Sequence, residues 1–399
     1  MFCTRKVAVD TFYVGASDRR LERFENLFPI PRGVSYNSYV ILDDKTALLD
    51  TVDPSVSAQF WENVTHILGG RALDYLFINH MEPDHCSVLD EALRRYPELK
   101  LVGNRKTFTM VSQFFGIDVS SRAVEVVEGD ELSLGSHTLN FITAPMVHWP
   151  EVMFTYDQKS KALFSADAFG TFGALCGNIF DDELDFDRDW LPDARRYYSN
   201  IVGKYGVQVQ SALAKSAPLD IALICPLHGP VWRGNIAYIL DKYRLWSSWA
   251  PEDKGVVVAY GSMYGHTKSV ADALAALLAD RGVKNIAVHD VSATDVSYVI
   301  SDLFRFSHAV FASVTYNSAL YPKMETLFVD MKALGIKGRT VALIENGTWA
   351  AAAAKNMNNI LSEMKDMTVL DGGFSIKSAK LDDGNGELAA LADSVAASL

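Results

Sequence analysis

The sequence predicts an α/β chain of two parts, a sandwich of mixed β-strands with outer helices followed by a doubly wound parallel sheet. Up to about residue 245, short apolar runs are joined by irregular loops. Beyond about residue 255, strands and amphipathic helices alternate regularly, the pattern of parallel βαβ units. Between the two, "WSSWAPEDKG" at 246–255 brings Pro, Ser, Gly and charge together, the composition of an exposed linker. A length of 399 residues exceeds one ordinary core and agrees with two domains, expected at residues 1–250 and 251–399.

In the first part, "YNSYVILDD" and "TALLDTV" flank a polar turn and predict a hairpin. Further strands are predicted at "LDYLFIN", "LKLVGN", "HTLNFITA", "KALFSADA" and "DIALICPL", with helices at "SAQFWENVTHILGG" and "CSVLDEALRRYPE". In the second part, "GVVVAY", "NIAVHD", "HAVFASV" and "TVALIE" predict parallel strands. Val270, Leu274, Leu277 and Leu278 recur at helical spacing behind the first of them. "YPKMETLFVDMKALG" and "GELAALADSVAASL" predict two more helices, and no internal repeat is present.

Composition excludes several functions. A formal charge of −12 argues against nucleic acid and anionic membrane surfaces, both of which reward Lys and Arg. The N-terminal stretch lacks a signal-peptide apolar core, and no run approaches about 18 apolar residues, so a cytoplasmic protein without a membrane span is expected. Four scattered cysteines without any CxxC fit a reducing compartment and exclude a rubredoxin-like or cysteine-ligated iron–sulfur centre within the chain.

Against this background, "HMEPDHC" at residues 80–86 concentrates two histidines and two carboxylates. The residue before Pro83 is pushed toward extended geometry. His80, Glu82 and Asp84, at alternate positions, are therefore expected on one side of an extended loop, with His85 turned toward a neighbouring point. Two adjacent metals suit such a set better than one. The structural alternative is that Asp84 caps a helix and the histidines lie on the surface. Three later strand ends each carry a polar residue that their apolar context does not require: His148 in "APMVHWPE", Asp167 in "FSADAFG" and His228 in "ICPLHGP". The seven together supply four imidazoles and three carboxylates, enough for two metals if one carboxylate bridges.

In this order the residues resemble the HxHxDH signature, followed by a distant His, Asp and His, of the metallo-β-lactamase superfamily. Glu82 stands where hydrolases of that superfamily have a second histidine. A carboxylate replacing an imidazole moves the preference from zinc toward iron or manganese. The HxExDH form joined to a flavodoxin-like half is similar to the flavodiiron proteins, or A-type flavoproteins, over essentially the whole chain. The resemblance implies a metallo-β-lactamase-like αββα sandwich and two non-haem iron ions. One iron would be held by His80, Glu82 and His148, the other by Asp84, His85 and His228, with Asp167 between them.

In the second part, "GSMYGHT" at 261–267 leads from a strand into a helix. Small residues there let backbone N–H groups and the Ser262 and Thr267 side chains surround a phosphate, and Met263, Tyr264, Gly265 and His266 complete that loop. "SVTYNSALYP" at 313–322 and "ENGTWA" at 345–350 sit at the C-terminal ends of later strands, where open α/β sheets bind ligands. Tyr316 and Trp349 are expected either to pack on an isoalloxazine ring or to pack into the core, with Thr315, Asn317 and Gly347 along the ring's polar edge and Asn346 and Thr348 as further cofactor-binding candidates of the same loop. Three such loops resemble flavodoxin, which implies FMN, and nothing suggests the adenosine site that FAD needs. "ENGTWA" departs from the family's Ser-Tyr-Gly-Trp form, Val314 stands where proline is common, and His266 replaces a frequent Asn.

The resemblance implies reduction of dioxygen to water, of nitric oxide to nitrous oxide, or of both. FMN and two ferrous ions would together store four electrons. Without a rubredoxin-like centre or a nicotinamide-binding GxGxxG element, electrons are expected from outside. Rubredoxin or another small carrier is the first expectation, and a reduced deazaflavin coenzyme the second. A head-to-tail homodimer, or a dimer of dimers, is implied, each flavin facing the partner's metals. The alternatives are a metallo-β-lactamase-type hydrolase with a flavodoxin-like accessory domain, and a redox sensor with a degenerate site.

Overall fold

The predicted hairpin pairs Tyr39–Leu42 with Thr46–Leu49 antiparallel in the computed structural model, which describes residues 1–379 and 386–399. It lies near the centre of a seven-stranded sheet in the order Arg5–Ala8, Thr11–Tyr13, Tyr39–Leu42, Thr46–Leu49, Tyr75–Phe77, Lys100–Gly103 and Ala123–Glu125. Pairing turns parallel from Thr46–Leu49 onward. A second sheet of five strands runs Glu131–Ser133, Thr138–Thr143, Met153–Asp157, Ala162–Phe164 and Leu223–Cys225, with only the last pair parallel. Rings from the two sheets meet where Phe77 stacks on Phe141, centroids 5.9 Å apart. These elements fall in one compact unit, Met1–Tyr198 with Tyr205–Arg244.

The second unit, Ser199–Lys204 with Leu245–Leu399, has the expected parallel sheet. Its order is Ile286–Asp290, Asp253–Gly261, Phe306–Tyr316, Thr340–Asn346, then Thr368–Val369 and Phe374–Ile376 alongside the last long strand. Alternation assigns Val256, Val258, Val310 and Ile344 to one face, where Val270, Leu274 and Leu278 of helix His266–Asp280 and Leu391 and Val395 of helix Glu387–Ser398 cover them. Burying a side chain such as Leu274 contributes roughly 1.5–3 kcal/mol. The opposite face includes Phe311, whose ring meets Phe328 of helix Pro322–Ala333 edge-on at 4.8 Å.

Two local expectations need correction. Residues 246–255 are not an exposed linker: helix Ile236–Ser247 runs into the stretch, strand Asp253–Gly261 begins inside it, and Trp246 and Trp249 are buried. Two indole rings outweigh the polar composition around them, and Trp246 Nε1 donates to Glu252 at 2.6 Å. The helix predicted from "CSVLDEALRRYPE" is present but shorter, Leu89–Arg95, and a separate short helix Pro83–Cys86 ends where that stretch begins.

Candidate metal centre and cofactor cavity

Three of the seven predicted residues occupy the same place relative to a strand. His80 follows Tyr75–Phe77, Asp167 follows Ala162–Phe164 and His228 follows Leu223–Cys225, each three residues beyond the strand end. His148 lies in the loop between Thr138–Thr143 and Met153–Asp157. Gly229 holds the His228 loop in shape: its φ is +73°, and a Cβ there would lie 2.2 Å from the Thr171 methyl.

The extended alternation expected through Asp84 stops at Glu82, whose backbone is extended at φ −61° and ψ 140°. Pro83 then starts the helical turn, because its fixed φ suits the first helical position. Asp84 and His85 consequently leave the side that His80 and Glu82 share. The structure brings His80, Glu82, His148 and Asp167 together in one group and Asp84, His85 and His228 in another, the ligand atoms within each lying within 4.8 Å of one another. Asp84 does not cap the helix, and the histidines are buried.

Asp167 touches both groups, one oxygen for each. Its Oδ2 lies 3.1 Å from His148 Nε2 and 3.4 Å from His80 Nε2, while its Oδ1 lies 3.1 Å from His85 Nε2 and 3.6 Å from His228 Nε2. Burial opposes its charge, but the imidazoles of His85, His80 and His148 hold its carboxyl well below the usual range. Burial likewise opposes charge on His148, yet Asp167 and Glu82 push it up to about 9.

The donor set fits metal cations. His228 Nδ1 donates to the Ser35 carbonyl at 2.7 Å, which leaves the Nε2 lone pair facing His85 Nε2 at 3.1 Å. Two imidazole nitrogens so close, beside an Asp84 carboxylate that is buried without a hydrogen-bond partner among the described residues, form a donor set that a shared cation would satisfy. His80 is oriented in the same way: Glu151 accepts from its Nδ1 at 2.9 Å and from the Met81 N–H at 2.8 Å. Glu82 and Asp84 also line a cavity of about 520 Å³ with Phe24, Glu25 and Tyr36. The neighbouring Glu82 and Asp84 carboxylates push Glu25 above its ordinary value.

Glu151, Ser35 and Glu25 escaped the sequence reading. Glu151 left a trace, a carboxylate directly after the "HWP" that carries His148. Ser35 acts through a backbone carbonyl, which no sequence pattern marks.

In the second unit a cavity of about 610 Å³ is lined by Ser262, Met263, Tyr264, His266, Thr267, Thr315, Asn317, Asn346, Gly347, Thr348 and Trp349 of the predicted set. Val314, Ser318, Ala350 and Ser378 complete it. Gly265 and Tyr316 are not among its lining residues: Gly265 precedes helix His266–Asp280 at φ +92°, and Tyr316 ends its strand, 42 % exposed. Trp349 and Tyr264 are exposed at the rim. Gly347 permits the tight turn, since a Cβ there would lie 2.6 Å from Ala351 Cα. Ser262 and Thr267 flank the start of a fifteen-residue helix, where N–H groups and the dipole favour a phosphate.

A lactamase-like metal domain joined to a flavodoxin is the class that this fold and site define. The family model of ODP family beta lactamases matches residues 34–229, and that of flavodoxins residues 258–391. An anaerobic nitric oxide reductase flavorubredoxin of Vibrio vulnificus is 30 % identical over 88 % of this chain and 71 % of its own. An uncharacterized protein of Methanocaldococcus jannaschii is 30 % identical over 93 % of each chain. The structures of rubredoxin oxygen:oxidoreductase from Desulfovibrio gigas and of the flavodiiron protein from Giardia intestinalis superpose with TM-scores of 0.91 and 0.92. Both are 25 % identical and are matched over 99 % of this chain, covering 98 % and 95 % of theirs. The chain belongs to the flavodiiron protein family.

Proposed function

We propose that this chain is a flavodiiron oxidoreductase that reduces dioxygen to water, nitric oxide to nitrous oxide, or both. The observation that carries the reading is the placement of Asp167 between two buried donor groups, one oxygen toward each. His80, Glu82 and His148 would hold one iron and Asp84, His85 and His228 the other, with Asp167 shared between them. The cavity formed by residues 262–267, 314–318 and 346–350 would hold FMN, with Ser262 and Thr267 as the residues that would receive its phosphate. When bound, the metals and FMN supply one-electron and paired-electron chemistry at a site able to hold two small diatomic molecules.

The chain's own residues do the rest. Glu151 and the Ser35 carbonyl fix two imidazoles for binding, while burial of His80, His85, Asp167 and His228 excludes bulk water. Glu82 in place of an imidazole favours iron over zinc and counts against the hydrolase alternative. The name of the Vibrio relative supports nitric oxide, that of the Desulfovibrio relative supports oxygen, and the latter also supports rubredoxin as the carrier. A head-to-tail homodimer and a cytoplasmic location belong to the same proposal. Among the described residues, no helix is long and apolar enough to cross a membrane.

The test is metal analysis, then anaerobic reduction and parallel mixing with each gas, with product analysis. Iron, FMN and rapid turnover of one gas are expected, with NADH alone slow and a reduced small carrier fast. Zinc without turnover would return the hydrolase reading, and rapid NADH oxidation without a carrier would remove the external donor.

A further inference from the structure

Asn346, 7 % exposed, ends the strand Thr340–Asn346 and joins two segments of the cofactor cavity. Its amide orientation is fixed by the backbone of Ser378. The Ser378 N–H donates to one atom at 3.2 Å, which must be Oδ1, and the Ser378 carbonyl accepts from the other at 3.0 Å, which must be Nδ2. The second hydrogen of Nδ2 goes to the hydroxyl oxygen of Thr267 at 3.3 Å. Thr267, in the first turn of helix His266–Asp280, is 1 % exposed and lines the cavity, and Asn346 is the only side-chain hydrogen-bond partner its hydroxyl has among the described residues. A hydroxyl that accepts from Asn346 keeps its own proton free to donate.

We propose that Asn346 is a positioning residue that sets the Thr267 hydroxyl as a donor to the phosphate of the bound flavin nucleotide. The proposal rests on reading this cavity as an FMN site. Asn346→Asp keeps the shape and reverses the chemistry. The new oxygen draws the Thr267 proton to itself and brings negative charge toward the phosphate. Riboflavin, which lacks the phosphate, should be indifferent to both effects.

The experiment titrates full-length protein, freed of flavin, with FMN and with riboflavin, following fluorescence quenching. Asn346→Asp should weaken FMN on the order of 10- to 100-fold, the size of a hydrogen bond to a charged group, and leave riboflavin nearly unchanged. Thr267→Val should show the same selectivity, and the double variant little further loss, since the two side chains act through one hydroxyl. Asn346→Ala, which adds no charge, should give a smaller loss, again confined to FMN, and carries the test if the aspartate variant does not fold. Equal weakening of FMN and riboflavin, additive losses in the double variant, or unchanged FMN affinity would each overturn the proposal. If the unsubstituted protein binds neither flavin, the FMN reading itself falls, a result distinct from all of these.

Discussion

His80 and Glu151 meet at 2.9 Å, Nδ1 to Oε1, with both side chains shut off from solvent. The contact spans 71 residues of sequence and fixes which imidazole nitrogen faces Asp167. Replacing Glu151 by Gln is expected to weaken metal at the His80 group by about 10- to 100-fold, the usual effect of removing a partner of this kind. Competition against a graded chelator would measure it. Retention equal to the unsubstituted protein would show that Glu151 does not tune the site.

Asp167 should matter to twice as much metal as any histidine. On the proposed assignment Asp167→Ala disturbs both irons, whereas His148→Ala disturbs one. Iron content per chain after anaerobic loading separates the two. Full occupancy in the Asp167 variant would refute the bridge.

Arg339 is a stability prediction, independent of the metals. It is 1 % exposed, and burial pushes its pKa down to about 10. Its guanidinium donates to the carbonyls of Leu303 and Trp249 at 2.7 Å each, Lys337 at 2.9 Å, Gly338 at 3.2 Å and Phe304 at 3.4 Å. Arg339→Met leaves these acceptors without their donor and should cost about 3 kcal/mol or more, with Arg339→Lys recovering only part. Denaturant unfolding monitored in the second unit is the measurement, and a loss below about 1 kcal/mol would contradict it.

Acid should expose the role of Asp157. Burial works to raise its pKa, but hydrogen bonds from His137 and Ser160 outweigh burial and hold the carboxyl below its ordinary range. A carboxylate depressed in the folded state contributes stability above its unfolded pKa, near 3.9, and that contribution disappears as pH falls through the folded value. Asp157→Asn should therefore lower stability by about 1–2 kcal/mol at neutral pH, and the gap should narrow below about pH 4. A gap constant across that range would place the effect in packing instead of charge.

Both halves of the fold were legible where local pattern and tertiary role coincide. Val256, Val258 and Val310 read as strand and are strand, and Val270, Leu274 and Leu278 read as one helix face and pack as one. The metal candidates were legible because His148, Asp167 and His228 are polar where their apolar surroundings ask for no polarity. The turn at Pro83 was not, since proline restrains the residue before it toward extended geometry and also begins helices, and only the surrounding fold decides which effect the next side chains obey. Nor was the partnership of His228 with the Ser35 carbonyl, because every residue carries a carbonyl and the pair lies 193 positions apart. At 246–255 the polar composition was read correctly and its meaning was not: burial of Trp246 and Trp249 decided the structure.

The hydrogen bond from Arg339 to the Trp249 carbonyl bears on how portable the flavodoxin-like half is. A graft or recombination joint at residue 251 would sever a carbonyl that a buried guanidinium needs, while leaving every strand of the sheet intact. A joint at Leu245, where the second unit resumes, carries that carbonyl along. The end of the helix Ile236–Ser247 therefore has to travel with the module that follows it, and chimeras joined at the apparent seam should be less stable than those joined six residues earlier.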